Sequence, residues 1–182
     1  MRVISGSARG KKLLPPKGAD IRPTGDKVKG AVFNIIQEHI NGARALDLFS
    51  GTGQLGIEAL SRGAASCVFV DSSPASLELT RKNIEAARLT ERAEILRADA
   101  LEYIKRAGRF DIVFLDPPYD GGLLDSALAN IFEFDILAER GIIVCESGSG
   151  HLMPESEAPY KKLREYTYGS VKITIYIKET TV

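Results

Sequence analysis

Two cysteines and two histidines in 182 residues leave little material for a disulfide framework or a metal centre. Cys67 and Cys145 lie inside the apolar runs "SCVFVD" and "GIIVCES", where buried free thiols are expected rather than a bridge, a ligand or a nucleophile. His39 falls near a predicted helix C-terminus, where positive charge is favourable, and His151 in a Gly/Ser-rich loop; neither position is catalytic in character. Long apolar runs are missing too. Nothing approaches the roughly 18–20 residues that cross a bilayer, and no apolar signal segment opens the chain. The expectation is a cytoplasmic protein, free of metal and membrane. Repeats and low-complexity tracts are also lacking.

Net charge is zero, with 24 basic and 24 acidic residues, but the charges are unevenly spread. Residues 1–30 hold eight Lys/Arg and two acids, a surplus of +6, which the rest of the chain cancels. A basic arm on an acidic body suits a polyanion, and phosphate contacts of that kind weaken with salt. A solvated, flexible N-terminus accounts for the same charges. The length suits one ordinary domain with a short appendage, and 44% hydrophobic residues can fill its core.

From Ala43 to Cys145 short apolar runs alternate with amphipathic stretches. Strands are predicted at Ala43–Leu48, Ser66–Asp71, Ala93–Leu96, Phe110–Leu115 and Gly141–Glu146. Helices are predicted at Gln54–Arg62, Pro74–Arg88, Ala100–Ala107 and Leu123–Phe132. Ser73 and Pro74 make a standard helix entry. This alternation predicts a parallel sheet covered on both faces. Before it come strand-like pieces about Ser5–Gly10 and a helix from Asp26 to His39 with an apolar stripe of Val28, Val32, Ile35 and Ile36. After it, Tyr166–Tyr168 and Val171–Lys178 predict antiparallel strands turning at Gly169-Ser170.

"ALDLFSGTGQLGIEAL" places Gly51, Gly53 and Gly56 between a strand and a helix, with Asp71 twenty residues beyond Gly51 at the next strand's end. Both features match a dinucleotide fingerprint, so a nicotinamide-dependent oxidoreductase is one reading. Asp47 favours another. An acid four residues before the first glycine repels a pyrophosphate but suits the ammonium of a methionine moiety. Asp71 can accept from ribose hydroxyls, and Asp99, after the third strand, stands on the same sheet edge. Either acid alone is accounted for by helix N-capping.

Asp116-Pro117-Pro118-Tyr119 follows the apolar run "FDIVFL". The prolines keep neighbouring carbonyls out of a ladder or helix. Asp116 and the Pro117 carbonyl can then accept from an exocyclic amine while Tyr119 stacks on its ring. An aromatic amine is a poor nucleophile, because its lone pair is delocalised. Acceptors at Asp116 and Pro117 favour a pyramidal nitrogen and stabilise the positive charge that develops as it takes a methyl group directly. No metal or covalent intermediate is required. On its own a Pro-Pro pair after an acid is an ordinary turn; 65 residues beyond Gly51 on the same edge, it points to amino-methyl transfer.

The loop "DLFSGTG" resembles the first motif of S-adenosylmethionine-dependent methyltransferases. Together with "RVISGSARGKKL", "IRPTGDKVKGAVFNII" and "FDIVFLDPPYDGGLL", the chain resembles the D-type family of bacterial 16S rRNA guanine-N2 methyltransferases over nearly its whole length. The resemblance implies a Rossmann-like class I α/β fold: a mostly parallel seven-stranded sheet flanked by helices, with an antiparallel C-terminal strand. It also implies a hairpin-and-helix extension over residues 1–40 and a methyltransferase domain over 41–182, within one compact unit. The implied cofactor is S-adenosylmethionine, leaving as S-adenosylhomocysteine. Asp47, Phe49, Ser50, Gly51 and Gly53 would hold its methionine end, Asp71 with Ser72 its ribose, and Asp99 with Ala100 its adenine. Asp116, Pro117, Pro118 and Tyr119 would be catalytic. Arg9, Lys11, Arg22, Thr24 and Lys29, with Asp26 beside them, match the N-terminal motif for RNA binding and closure. The implied partner is small-subunit rRNA in an assembled or partly assembled 30S particle, and a monomer is expected. Gly25, Gly30 and Gln54 depart from the family pattern, and Gly30 inside a helix should cost roughly 1 kcal/mol against Ala. A DNA adenine or cytosine amino-methyltransferase is the runner-up, although the chain leaves no separate domain for reading a duplex. A non-enzymatic RNA-binding or assembly factor is a further alternative, which the intact acids and Tyr119 oppose.

Overall fold

The computed structural model describes residues 1–16, 24–118 and 122–180. Seven strands form one sheet: β1 (Arg44–Leu48), β2 (Ser66–Asp71), β3 (Ala93–Arg97), β4 (Phe110–Leu115), β5 (Leu137–Gly148), β6 (Tyr160–Tyr168) and β7 (Val171–Lys178). Their order is β3-β2-β1-β4-β5-β7-β6. The first five strands in that order run parallel, whereas β7 lies antiparallel to both β5 and β6. The expected architecture is present, and the terminal hairpin adds two strands to the edge. It turns at Gly169, whose φ is +61°.

The helices are α1 (Thr24–Ile35), α2 (Gln37–Ile40), α3 (Gln54–Ser61), α4 (Pro74–Ala87), α5 (Ala100–Ile104) and α6 (Leu123–Phe134). Strand alternation divides the core into two layers. Ala45, Phe69, Ile112 and Phe114 pack with Phe33 of α1, Ile57 of α3 and Ile84 of α4. Leu46, Val68, Val113 and Leu115 pack on the other face with Ile104 of α5 and Leu128 of α6. Among the described residues no helix is long and apolar enough to cross a membrane.

Two expectations about the N-terminal region change. The helix predicted over Asp26–His39 is two helices, interrupted at Ile36. Phe33 joins Val28, Val32 and Ile36 in the core, while Ile35 is only half-buried. The strand-like pieces reduce to one antiparallel bridge, Arg2 to Lys12, and Ser5–Gly10 form the turns between its arms. Val3, Ala8 and Leu13 belong to the same core layer as Phe33 and Phe69, so this segment is packed into the body.

Its fastening comes from polar groups in apolar helices. The Glu58 carboxylate on α3 is fully buried and accepts from the backbone N–H groups of Ile4 (2.8 Å) and Ser5 (3.0 Å) and from Arg62 Nε (2.7 Å). Ser61 Oγ accepts from Ala8 N and donates to the Ser5 carbonyl. Gly6 passes so close to this turn that a Cβ there would lie 1.8 Å from the Ser61 carbonyl oxygen. Asn83 of α4 both accepts from and donates to the Leu14 backbone, and also donates to the carbonyl of Thr52. Through Asn83 the basic arm touches the glycine loop itself.

Candidate active site

The chain runs outward from β1 to β3, then returns to place β4 on the other side of β1. This reversal opens a crevice at the C-terminal ends of β1 and β4, where open parallel sheets hold their ligands. Leu48 and Leu115 are in register, so the glycine loop and Asp116 emerge side by side. Periodicity predicted both segments, and the crossover made them neighbours.

Between β1 and α3 the loop is held by side chains beneath it. Asp71 Oδ2 accepts from Gly51 N (2.9 Å), and Oδ1 accepts from Ser73 N (2.8 Å). Thr80 Oγ1 donates to the Gly51 carbonyl. Gly53, at φ +75°, turns the chain into α3. Gly56 lets α3 lie against β2, since a Cβ there would come within 2.4 Å of the Phe69 ring. Phe49 has φ +67°, an uncommon conformation for a residue with a side chain, at the lip of the crevice.

The crevice holds a cavity of about 660 Å³. Of the expected cofactor residues, Phe49, Gly51, Asp71, Ser72, Asp99 and Ala100 line it, together with Asp116, Pro117 and Pro118. Ser73, Ser76 and Leu123 also line it and were not anticipated. Asp99 additionally caps α5 by accepting from Glu102 N (3.0 Å), so capping and cavity lining coexist in one side chain. Asp47, Ser50 and Gly53 are not in this lining. Asp47 is 2% exposed and accepts from Gly56 N at 2.9 Å. Burial, opposed by that hydrogen bond and reinforced by Asp71, pushes its carboxyl up to about 7. Ser50 Oγ is buried without a partner among the described residues. Three carboxylates, a close-approach backbone and an orphaned hydroxyl fit a ligand with hydroxyl, amino and cationic groups, such as S-adenosylmethionine.

At the end of β4, Asp116 is surrounded by like charge. Burial raises its carboxyl well above the usual range, and Glu146 and then Asp47 raise it further. Alternation explains the grouping: Asp47, Asp71 and Glu146 have the same strand parity as Ala45, Phe69 and Val144, all in one layer. Continuing β4 by one residue gives Asp116 that parity as well. Pro117, Pro118 and Leu123 also border a second chamber of 230 Å³, which Glu146 and His151 help to line. His151 Nε2 lies 2.9 Å from Asp125 Oδ1 of α6. Glu146 was missed, although an acid ending the buried run "IIVCE" is the same signal that marked Asp71 and Asp116. Tyr119 lies outside the described residues.

The N-terminal expectations divide. Arg9 and Lys11 are exposed, with no ion-pair partner among the described residues. Arg22 lies outside the described residues, as does the side chain of Thr24. Lys29 corrects the expectation of an RNA contact. It is 3% exposed, donates to the Arg2 carbonyl at 2.6 Å and lies 3.6 Å from Glu58. Burial lowers its pKa while Glu58 opposes the shift. The helix that carries it turns the ammonium into the body, where it anchors the arm. Asp26 pairs instead with Arg2, at 3.3 Å.

Residues 1–177 match the family described as "Conserved hypothetical protein 95". YlbH of Bacillus subtilis is 42% identical over 182 residues, which span 98% of this chain and 99% of that protein. Ribosomal RNA small subunit methyltransferase D of Escherichia coli K12 is 33% identical over 180 residues, covering 98% of this chain and 90% of the relative. The solved structure of yhhF from Escherichia coli has a TM-score of 0.88 at 32% identity, covering 100% of this chain and 99% of that one. These likenesses run the length of the sheet and leave the oxidoreductase reading without support: the chain belongs to the methyltransferase family that includes ribosomal RNA small subunit methyltransferase D.

Proposed function

We propose that this methyltransferase acts on the exocyclic N2 amine of a guanine in small-subunit (16S) ribosomal RNA, with S-adenosylmethionine as donor. The observation that carries the reading is the position of Asp116: a desolvated carboxylate at the β1/β4 switch point, bordering the large cavity, with Pro117 and Pro118 separating that cavity from the second chamber. Bound S-adenosylmethionine supplies an electrophilic methyl group, and the protein supplies placement. Asp116 accepts from the amine and stabilises the positive charge that develops on its nitrogen. The Pro117 carbonyl is a second acceptor, and the proline pair holds the two in fixed relation. Asp71 and Asp99 offer acceptors for ribose hydroxyls and an adenine amine, while Asp47 sets a carboxyl beneath the glycine loop whose ionised form the cofactor's ammonium would favour. We assign residues 1–40 to an RNA-binding extension, with Arg9, Lys11, Arg22 and Thr24 as its substrate-binding residues. The substrate is read as an assembled or partly assembled 30S particle, bound by a cytoplasmic monomer.

Purified protein with labelled S-adenosylmethionine is expected to modify small-subunit particles from cells lacking the activity, and nucleoside mass spectrometry should identify N2-methylguanosine. Transfer to duplex DNA with none to any small-subunit particle would replace this reading with a DNA amino-methyltransferase.

A further inference from the structure

The second chamber and the large cavity share Pro117, Pro118 and Leu123 as a common border. At 230 Å³ against 660 Å³, the smaller space suits a flat ring and the larger a whole cofactor. The rest of its wall comes from the first turn of α6 and the end of β5, where Glu146 stands.

Strand pairing sets Glu146 beside Asp116. Leu115 is in register with Cys145, so the next residue on each chain is an acid. Phe114 and Val144 face one core layer, and two residues further on Asp116 and Glu146 leave the sheet on that same side. Their charges interact, since Glu146 is the largest cause after burial of the upward shift at Asp116. Glu146 lines the second chamber and Asp116 the large cavity across their shared border, so a planar group in the chamber meets Glu146 directly and reaches Asp116 at that border.

We propose that Glu146 is a specificity-determining residue: with the target ring in the second chamber and its amine at Asp116, the Glu146 carboxylate accepts a hydrogen bond from guanine N1–H. This rests on the guanine-N2 reading above and extends it to the choice of base. In guanine the N2 amine stands next to N1–H, so two neighbouring donors face two neighbouring carboxylates. In adenine the ring nitrogen beside the amine is N1, and in cytosine it is N3. Both are bare acceptors and would set a lone pair against Glu146. A site built to accept from a substrate N–H rejects the analogue that lacks it far more strongly than an apolar pocket can.

The test uses small-subunit particles reconstituted with guanine or 2-aminopurine at the methylated position. 2-Aminopurine keeps the 2-amine but carries a lone pair at N1. Wild-type protein is expected to favour guanine by at least about 100-fold in kcat/KM. Glu146→Gln, whose amide can donate to a bare nitrogen, should lose about 10–100-fold on guanine. Its guanine-to-2-aminopurine ratio should narrow at least tenfold while S-adenosylhomocysteine binding persists. An unchanged ratio in a variant that still binds S-adenosylhomocysteine would overturn the role of Glu146. So would wild-type protein that methylates both bases equally, a measurement that does not depend on the variant folding. In either case guanine transfer itself survives and the parent reading stands. No wild-type transfer to any guanine would instead bring down the parent reading, and this one with it.

Discussion

Asp47 is buried and Asp116 half-buried at the cavity, and the two acids place different demands on the protein. Asp116 must accept from an amine, so its ionised form is the working one. Replacing it with Asn should lower methyl transfer by at least about 100-fold, the scale of losing one preorganised electrostatic contact. Calorimetry with S-adenosylhomocysteine should show unchanged cofactor binding, and retained turnover would remove Asp116 from the mechanism. Asp47 bears instead on stability. Its carboxyl titrates near 7 in the fold against 3.8 for the free group, so between those values the native state holds a proton that the unfolded chain has released. Native stability attributable to this group therefore falls as pH rises from about 4 to 7, and above 7 the loss is complete. Asp47→Asn should be more stable than wild type in urea at pH 8, and the advantage should shrink towards pH 4. An advantage that does not change with pH would contradict the assignment.

The helices carry liabilities of their own. Gly30 sits inside α1 in open space: a Cβ added there would meet nothing within 4 Å, and its φ is not in the left-handed region. Gly30→Ala should therefore raise stability by about 0.5–1 kcal/mol, seen as a shift of the denaturation midpoint with unchanged slope. The opposite is expected on α3. Glu58→Ala leaves the buried Lys29 ammonium without its partner and strands two backbone N–H groups of the arm. Loss of one member of such a pair costs about 3–5 kcal/mol. Amides of residues 3–13 should then exchange faster than those of β1 and β4. A uniform change across the protein would show that Glu58 does not act by holding the arm.

For the whole molecule, the basic arm and the catalytic edge form one physical unit. Val3 and Leu13 share a core layer with Phe69, and Asn83 bonds both Leu14 and the carbonyl of Thr52 in the glycine loop. On the function proposed above, RNA held by the arm would sit against the loop that borders the cavity. Arg9→Ala and Lys11→Ala should each weaken binding to small-subunit particles. Each should also reduce the slope of log affinity against log salt by about 1. Lys29→Ala should leave that slope unchanged while lowering stability, because its charge is already paired inside the fold.

The local readings held where one physical rule dominated a stretch of chain. Short continuous apolar runs marked every strand of the parallel sheet and period-3.6 patterns marked helices α3 to α6, since a strand buried on both faces and a helix buried on one are both local properties of sequence. Proline, glycine and acids at strand ends marked the crevice for the same reason. What depended on partners distant in sequence was not legible. Lys29 looked like the other cations of the arm until α1 turned it onto Glu58, 29 residues away. Glu146 became a neighbour of Asp116 only through the β4–β5 register. Residue type and spacing thus marked on their own a parallel α/β sheet and an edge carrying glycines, acids and prolines, while the family resemblance supplied the methyltransferase reading. The tertiary structure alone decided which charges hold the arm and which remain for a substrate, because desolvation and pairing depend on what packs against a side chain, not on what precedes it.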